Sequence, residues 1–332
     1  MQHKDLQKEL FQHPMYSAII RSNTFERLKG ISFLGAIDYI SDQSKRDNRY
    51  RHSLSVGALA LLYSRLRELK QDDQDHLVAA ALLHDIGHGP LSHSMESAFI
   101  EKFGLSHHIS TSRIITGDSP AGQEIPSLLN QFKLDRDRIL SLIQGTTGDK
   151  AGFALSNPIN LDTADAIIRT YQYTFSKAQS ELKTQAVPQP TDIVKALIDK
   201  DHNVLDRFWK LKETVYNTFI HNRLNLFVDF IAANFARQND SLEKKDFFLT
   251  DQLFADKHSL SFNHLIRVHK RNISSPKIRF YKRSYQIIKD TKLSDDYSVF
   301  KKYKHTKQLC SAAYPDNDFL PIIRVKKFSH SI

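Results

Sequence analysis

Residues 80–93 read AALLHDIGHGPLSH, and the rest of the chain is best understood outward from them. Residues 76–86 are nearly all apolar, as a buried helix would be, and the run ends on His84-Asp85, two side chains that bind metals. Alone, such a pair is most often a capped, hydrogen-bonded helix end. Two further stretches change its meaning. Upstream lies Arg49-Tyr50-Arg51-His52-Ser53-Leu54-Ser55-Val56, and downstream Asn160-Leu161-Asp162-Thr163-Ala164-Asp165, each joining a potential ligand to an amphipathic run. Together they give His52, His84, Asp85 and Asp162. Two imidazoles with two carboxylates suit a borderline or hard divalent ion, with Mn, Fe, Co, Ni, Zn and Mg all admissible. A thiolate-based structural zinc site is excluded, because Cys310 is the only cysteine and lies far from these segments.

The pattern resembles the HD superfamily of metal-dependent phosphohydrolases, whose defining ligands are a His, a His-Asp pair and a distant Asp. Within it the likeness is greatest to the deoxynucleoside triphosphate triphosphohydrolases, which include the dGTPases and the vertebrate enzyme joining a SAM domain to an HD domain. It extends over residues 24–170: Thr24-Phe25-Glu26-Arg27-Leu28-Lys29, then Phe33-Leu34-Gly35, then the two histidine strings already quoted. The resemblance implies a helical core, an open coordination position for chemistry, and release of nucleoside and triphosphate from a nucleotide substrate. It also implies a homo-oligomer.

The residues after His84-Asp85 suit catalysis. His88 lies four residues beyond His84, one helical turn on if the helix persists, and so is expected to face the same cleft. Gly87, Gly89 and Pro90 then break the helix, with Ser92 typed to cap the next one. In that new helix His93 and Glu96 stand at i, i+3, where the carboxylate can orient the imidazole for acid or base work. By resemblance, His88, His93, Glu96 and His107 act at the reacting phosphate. The family's His-Glu is here His107-His108, so His108 is expected to stand in for the missing carboxylate. Arg49 is expected to bind phosphate as a fixed fork.

Other positions depart from the triphosphohydrolase pattern. Thr163 and Ala166 replace a Lys and a Tyr that touch triphosphate and sugar, and Phe33 takes the place of a nucleoside-contacting Gln. The catalytic core is thus intact and the substrate shell altered. A helix over Leu161–Tyr173 would carry Asp162 in its first turn, with Asp165 and Arg169 as a solvated i, i+4 pair and Asp165 as the fallback fourth ligand. Aromatics between Thr214 and Leu224 read as core.

With 332 residues the chain can bury a large core. We expect a mainly α protein: an HD-domain helical core over 1–180, a helical extension over 181–250, and a basic α+β region over 251–332. Pro188 and Pro190 within Ser180–Thr191 mark a linker or excursion. No apolar run approaches the roughly 20 residues of a membrane helix. The N-terminal MQHKDLQKELFQ lacks a signal-peptide core, and the single cysteine favours a reducing compartment, so the expectation is a cytoplasmic protein with no membrane.

Charge is distributed unevenly. Residues 257–332 hold 17 Lys+Arg against 5 Asp+Glu, a local excess of +12 in a chain whose total is +10. Aromatics interleave with these cations at Arg279–Tyr285, Phe300–Lys304 and Arg324–Phe328. Cations that hold phosphates and rings that stack bases fit single-stranded nucleic acid, although a nucleotide effector or an acidic partner would use the same cations. The plain alternative is a solvated strand around Lys277–Tyr285 with a charged face. Three activities therefore stand side by side: a (d)NTP triphosphohydrolase, an HD-type nuclease on single-stranded DNA or RNA, and a nucleotide-sensing binding protein. The complete ligand set disfavours the last.

Overall fold

The computed structural model describes residues 3–40, 46–175, 187–260 and 277–313. The protein is mainly α-helical, with a two-stranded antiparallel sheet toward the C-terminus. At its centre two helices, Arg49–Leu66 and Gln71–Leu83, lie side by side. Both are buried over long stretches, from Ser53 to Ser64 in the first and from His76 to Leu83 in the second. Such helices belong inside a core rather than at its edge. Gly57 lets them approach closely, since a Cβ there would sit 2.5 Å from Leu82 Cδ2. Asn48 fixes the start of the first helix by accepting the Arg51 N–H at 3.0 Å. Asp72 and Asp73 sit in the first turn of the second, where the helix dipole favours negative charge.

That second helix stops at Leu83, with His84 at its C-cap. Residues 84–92 form a chain of turns before the next helix, His93–Phe103. The helix therefore does not continue to His88, which reaches the site from a turn closed by its own N–H onto Asp85 O at 3.1 Å. Gly87 explains how this turn is seated. A Cβ at Gly87 would lie 2.2 Å from Thr111 N and 2.4 Å from His107 O, so only glycine allows the turn to rest against the helix His107–Thr116.

Ser92 does not cap as expected. It has φ 48°, makes no side-chain cap bond, and instead donates from Oγ to Ser32 O at 2.6 Å. Leu91 shares the left-handed sign with φ 54°. Two such non-glycine residues in succession cost free energy and persist only when neighbours hold them. Asp251, distant in sequence and buried, is one such neighbour: it accepts N–H groups from Leu91 at 2.8 Å and Ser32 at 3.0 Å, and the Tyr39 hydroxyl at 3.1 Å. Arg27 adds a second tie, donating through Nη2 to the carbonyls of Ile86 and His88, both at 2.8 Å.

The helix Leu161–Phe175 carries Asp162 in its first turn and packs on Arg49–Leu66. Most of the expected linker lies outside the described residues, and a helix begins at Pro190. Strands β1 (Lys277–Ile287) and β2 (Tyr303–Ala313) pair antiparallel, with Tyr281 opposite Leu309 and Arg283 opposite Lys307. This hairpin is anchored to the helix His202–Thr214. Trp209 Nε1 donates to Gln286 O at 3.0 Å, Tyr303 donates to Asp206 at 2.7 Å, and Tyr285 and Tyr303 pack on the Trp209 ring. Lys302, expected among the basic surface residues, is buried. The Arg324–Phe328 cluster lies outside the described residues. No described helix is long and apolar enough to cross a membrane.

Candidate metal centre and catalytic cleft

His52, His84 and Asp85 come together, with ligand atoms within 4.8 Å of one another. Each imidazole is oriented by a bond on its outer nitrogen. Nδ1 of His84 faces Ala81 O at 2.8 Å, and Nδ1 of His52 faces Asp165 Oδ2 at 2.7 Å. Only acceptors stand at those outer positions, so each Nδ1 carries the proton and each Nε2 presents a lone pair inward. The two Nε2 atoms lie 3.3 Å apart, with Asp162 Oδ1 3.1 Å from His52 Nε2 and 3.9 Å from His84 Nε2. Asp85 closes the group, Oδ2 3.6 Å from His52 and Oδ1 3.5 Å from His84.

Lone pairs and carboxylate oxygens facing one another at such distances repel unless a cation or proton lies between them. The donor set is thus chemically fitted to a divalent ion. In the ion's absence a proton is the alternative occupant. Burial opposes charge on His52, but the hydrogen bonds to Asp162 and Asp165, with Asp85 nearby, outweigh it and push the imidazole up to about 9. Burial likewise works against the charge of Asp85, which His84, His88 and Arg49 nevertheless hold well below the usual carboxylate range.

Asp165 is not the solvated partner expected from its spacing to Arg169. It is buried on the far side of His52, where it also accepts from Ser55 Oγ at 2.5 Å and from Arg169 Nε at 2.8 Å. Arg169 in turn pairs with Asp47. The i, i+4 spacing alone implies a surface pair, because His52, the third participant, is 113 residues away. Meeting Nδ1 rather than Nε2, Asp165 stands behind the candidate ligands and orients His52, the placement a carboxylate has in a carboxylate–histidine–metal arrangement.

Arg49 is buried and extensively engaged: Nη1 donates to Asp85 at 2.7 Å, Nε to Ser92 Oγ at 3.0 Å and Nη2 to Phe33 O at 3.0 Å. It locks Asp85 in place, with two of its five N–H groups left over.

Beside this centre stands a second group. His88, His93 and His107 converge, with His88 and His107 stacked at 4.3 Å between ring centroids and His93 edge-on to both. His88 is buried behind the other two rather than exposed to the cleft, its Nε2 3.3 Å from Asp85 Oδ1. Glu96 serves both remaining histidines. One oxygen lies 2.9 Å from His93 Nδ1, and the other accepts from His107 Nδ1 at 2.5 Å and from the His107 backbone N–H at 2.8 Å. The carboxylate expected to be missing at position 108 is therefore supplied from another helix, and His108 lines the cleft with its ring packed against His107 at 3.8 Å. Burial disfavours ionised Glu96, but the two imidazoles hold it far below its ordinary range. Burial also lowers His93, leaving it neutral near pH 7. Its side chain is nonetheless 60% exposed, so it projects into solvent within a crowded cleft.

That cleft has a volume of about 430 Å³. Its lining includes Phe33, Leu34 and Ile37 together with Val215, Tyr216 and Ile220. The last three belong to a π-helical segment, Val215–Ile220, a conformation often found at functional sites. Tyr216 is therefore a cleft residue as well as packing, and Arg283 from the hairpin lies over its ring at 4.2 Å.

Comparison with known proteins agrees with this geometry. The family model described as HD domain matches residues 49–203. Uncharacterized protein YwfO of Bacillus subtilis is 32% identical over 162 residues, 47% of this chain and 36% of that protein. Deoxynucleoside triphosphate triphosphohydrolase SAMHD1 of Homo sapiens is 39% identical over 95 residues, 26% of this chain and 15% of that protein. Uncharacterized protein MG461 of Mycoplasma genitalium is 27% identical over 164 residues, 47% of this chain and 38% of that protein. These matches thus span well under half the length of the relatives.

Proposed function

We propose that the protein is a metal-dependent phosphohydrolase acting on nucleotides, and specifically a (d)NTP triphosphohydrolase that releases nucleoside and triphosphate. The observation that carries this reading is the inward convergence of His52 Nε2, His84 Nε2, Asp85 and Asp162 beside the Glu96-supported His93 and His107. The partial likeness to a deoxynucleoside triphosphate triphosphohydrolase supports it. His52, His84, Asp85 and Asp162 would hold the ion. When bound, a divalent ion supplies electrophilic chemistry, neutralising phosphate charge and making water more acidic.

The chain's own residues do the rest. Glu96 fixes the proton on His93 Nδ1, which leaves Nε2 free to take a proton from water or, once protonated, to give one to the leaving oxygen. His107, held by the same carboxylate through Nδ1, brings a second Nε2 to the phosphate, which donates there once it is protonated. Arg49 keeps Asp85 from rotating away and contributes positive charge at the wall of the cleft. Phe33, Leu34 and Tyr216 exclude water around the remainder of the substrate.

A second reading, a nuclease acting on strand ends, rests on Arg283 lying over cleft-lining Tyr216 and so joining the basic hairpin to the site. Incubation with a panel of nucleoside triphosphates and with labelled single strands, across several divalent metals, separates the two. Release of triphosphate, abolished by His84→Ala or Asp85→Ala together with metal retention, is the expected outcome. Oligonucleotide cleavage without nucleotide hydrolysis would replace the first reading by the second.

A further inference from the structure

One polar group in the cleft wall has no part in the chemistry above. Asp229 sits on the helix Arg223–Gln238, which packs along His93–Phe103, and its carboxylate lines the same cleft as His84, Asp85 and His93. Ser94 holds it: Oγ accepts the Ala36 N–H at 2.9 Å and donates to Asp229 Oδ1 at 2.5 Å. With its one proton and the Ala36 bond fixed, the hydroxyl leaves Oδ1 a single orientation and Oδ2 without a partner among the described residues. The next residues on the helix, Val228 and Ala232, are buried in an apolar cluster with Met95, Phe99 and Phe254. A carboxyl set at the edge of such a cluster with one hydrogen bond is destabilising, and burial pushes it up to about 7. Local departures of this kind are characteristic of functional sites.

Resting on the nucleotide reading, we infer that Asp229, presented by Ser94, recognises a sugar-ring hydroxyl of the substrate. Ser94 directly follows His93, the residue placed at the reacting phosphate, and Asp229 is one hydrogen bond beyond it. In a nucleotide the group next to the phosphate is the sugar, whose hydroxyls are its only donors. The base, further out, meets the apolar and aromatic walls of Phe33 and Tyr216. Near neutral pH the carboxyl can accept from such a hydroxyl when ionised and exchange a donor with it when protonated. Either form leaves a cleft polar group unpaired when the hydroxyl is missing, which is how a site rejects an analogue lacking it.

The test compares kcat/KM for a nucleoside triphosphate and its 2′,3′-dideoxy analogue in wild type, Asp229→Ala and Asp229→Leu, the last keeping the volume of the side chain. Wild type is expected to favour the hydroxylated substrate by about ten- to hundredfold, the worth of one hydrogen bond to a charged group. In both variants the ratio should fall toward one, with helical circular dichroism retained in at least the leucine variant. Equal use of both substrates by wild type, or a folded variant that keeps the full ratio, overturns the assignment while leaving nucleotide hydrolysis standing. Absence of hydrolysis of either substrate by wild type overturns the nucleotide reading itself.

Discussion

Replacing Asp165 with Asn tests whether the carboxylate behind His52 governs metal affinity. The change keeps size and leaves every proposed ligand in place. It alters three contacts: the bond to His52 Nδ1 at 2.7 Å, the Ser55 bond at 2.5 Å and the bonds to Arg169 at 2.8 and 3.0 Å. An amide cannot accept from all three, since its NH2 must face either the imidazole N–H with Arg169 Nε or the Ser55 hydroxyl with Arg169 Nη2. Loss of such an orienting partner typically weakens a metal site by about 10- to 100-fold. Because ligand-linked stability follows the logarithm of affinity, the stabilisation conferred by saturating metal should shrink by about 1.4–2.7 kcal/mol. The assay is thermal unfolding with and without chelator, paired with chelator competition for the bound ion. Metal affinity equal to wild type in a folded Asp165→Asn protein would refute the orienting role, whatever happened to stability.

His93→Ala should leave metal content near wild type while turnover falls by about two to four decades, and Glu96→Gln should lower it through both histidines. Turnover of phosphoester at saturating substrate, measured beside metal content, decides this. Asp229 gives a pH signature: its folded-state pKa of about 7 lies above the ordinary 3.8, so the native state binds more protons than the unfolded one between those values. Wild-type stability should therefore carry a component that declines as pH rises from near 4 to 7, and Asp229→Leu should lose that component in denaturant titrations across the range. Exposed Lys282, Lys304 and Lys307 changed to Glu should flatten the salt dependence of any single-strand binding. Wild-type protein without salt-sensitive binding would remove the polynucleotide role from the hairpin.

That His52, His84, Asp85 and Asp162 would lie together was legible because each sits at the boundary of an apolar run, where burial and a polar side chain meet. His52 follows a capped helix start, His84 ends a buried helix and Asp162 opens another. The strand at Lys277–Ile287 was visible for a similar reason, in its alternation. What stayed hidden was set by tertiary contacts. Asp165 looked like half of a surface pair, because local spacing says nothing of what lies behind a helix. Local spacing pairs Glu96 with His93 alone, since its second partner, His107, belongs to another helix. Asp229 and Asp251 carried no local pattern at all. Their meaning comes from Ser94 and Leu91, 135 and 160 residues away.

Asp251 also bears on modularity. The HD-domain match spans 49–203, yet the strained Leu91–Ser92 turn between the proposed metal and proton-transfer groups is held by Asp251 after that interval and by Ser32 before it. The family segment is therefore a unit of descent without being a unit of mechanics. Excised at its own borders it would keep every proposed ligand and lose the brace that sets their spacing, much as an arch keeps its stones and loses its abutments. Transplanting this active site onto another scaffold would require carrying the flanking chain along with it.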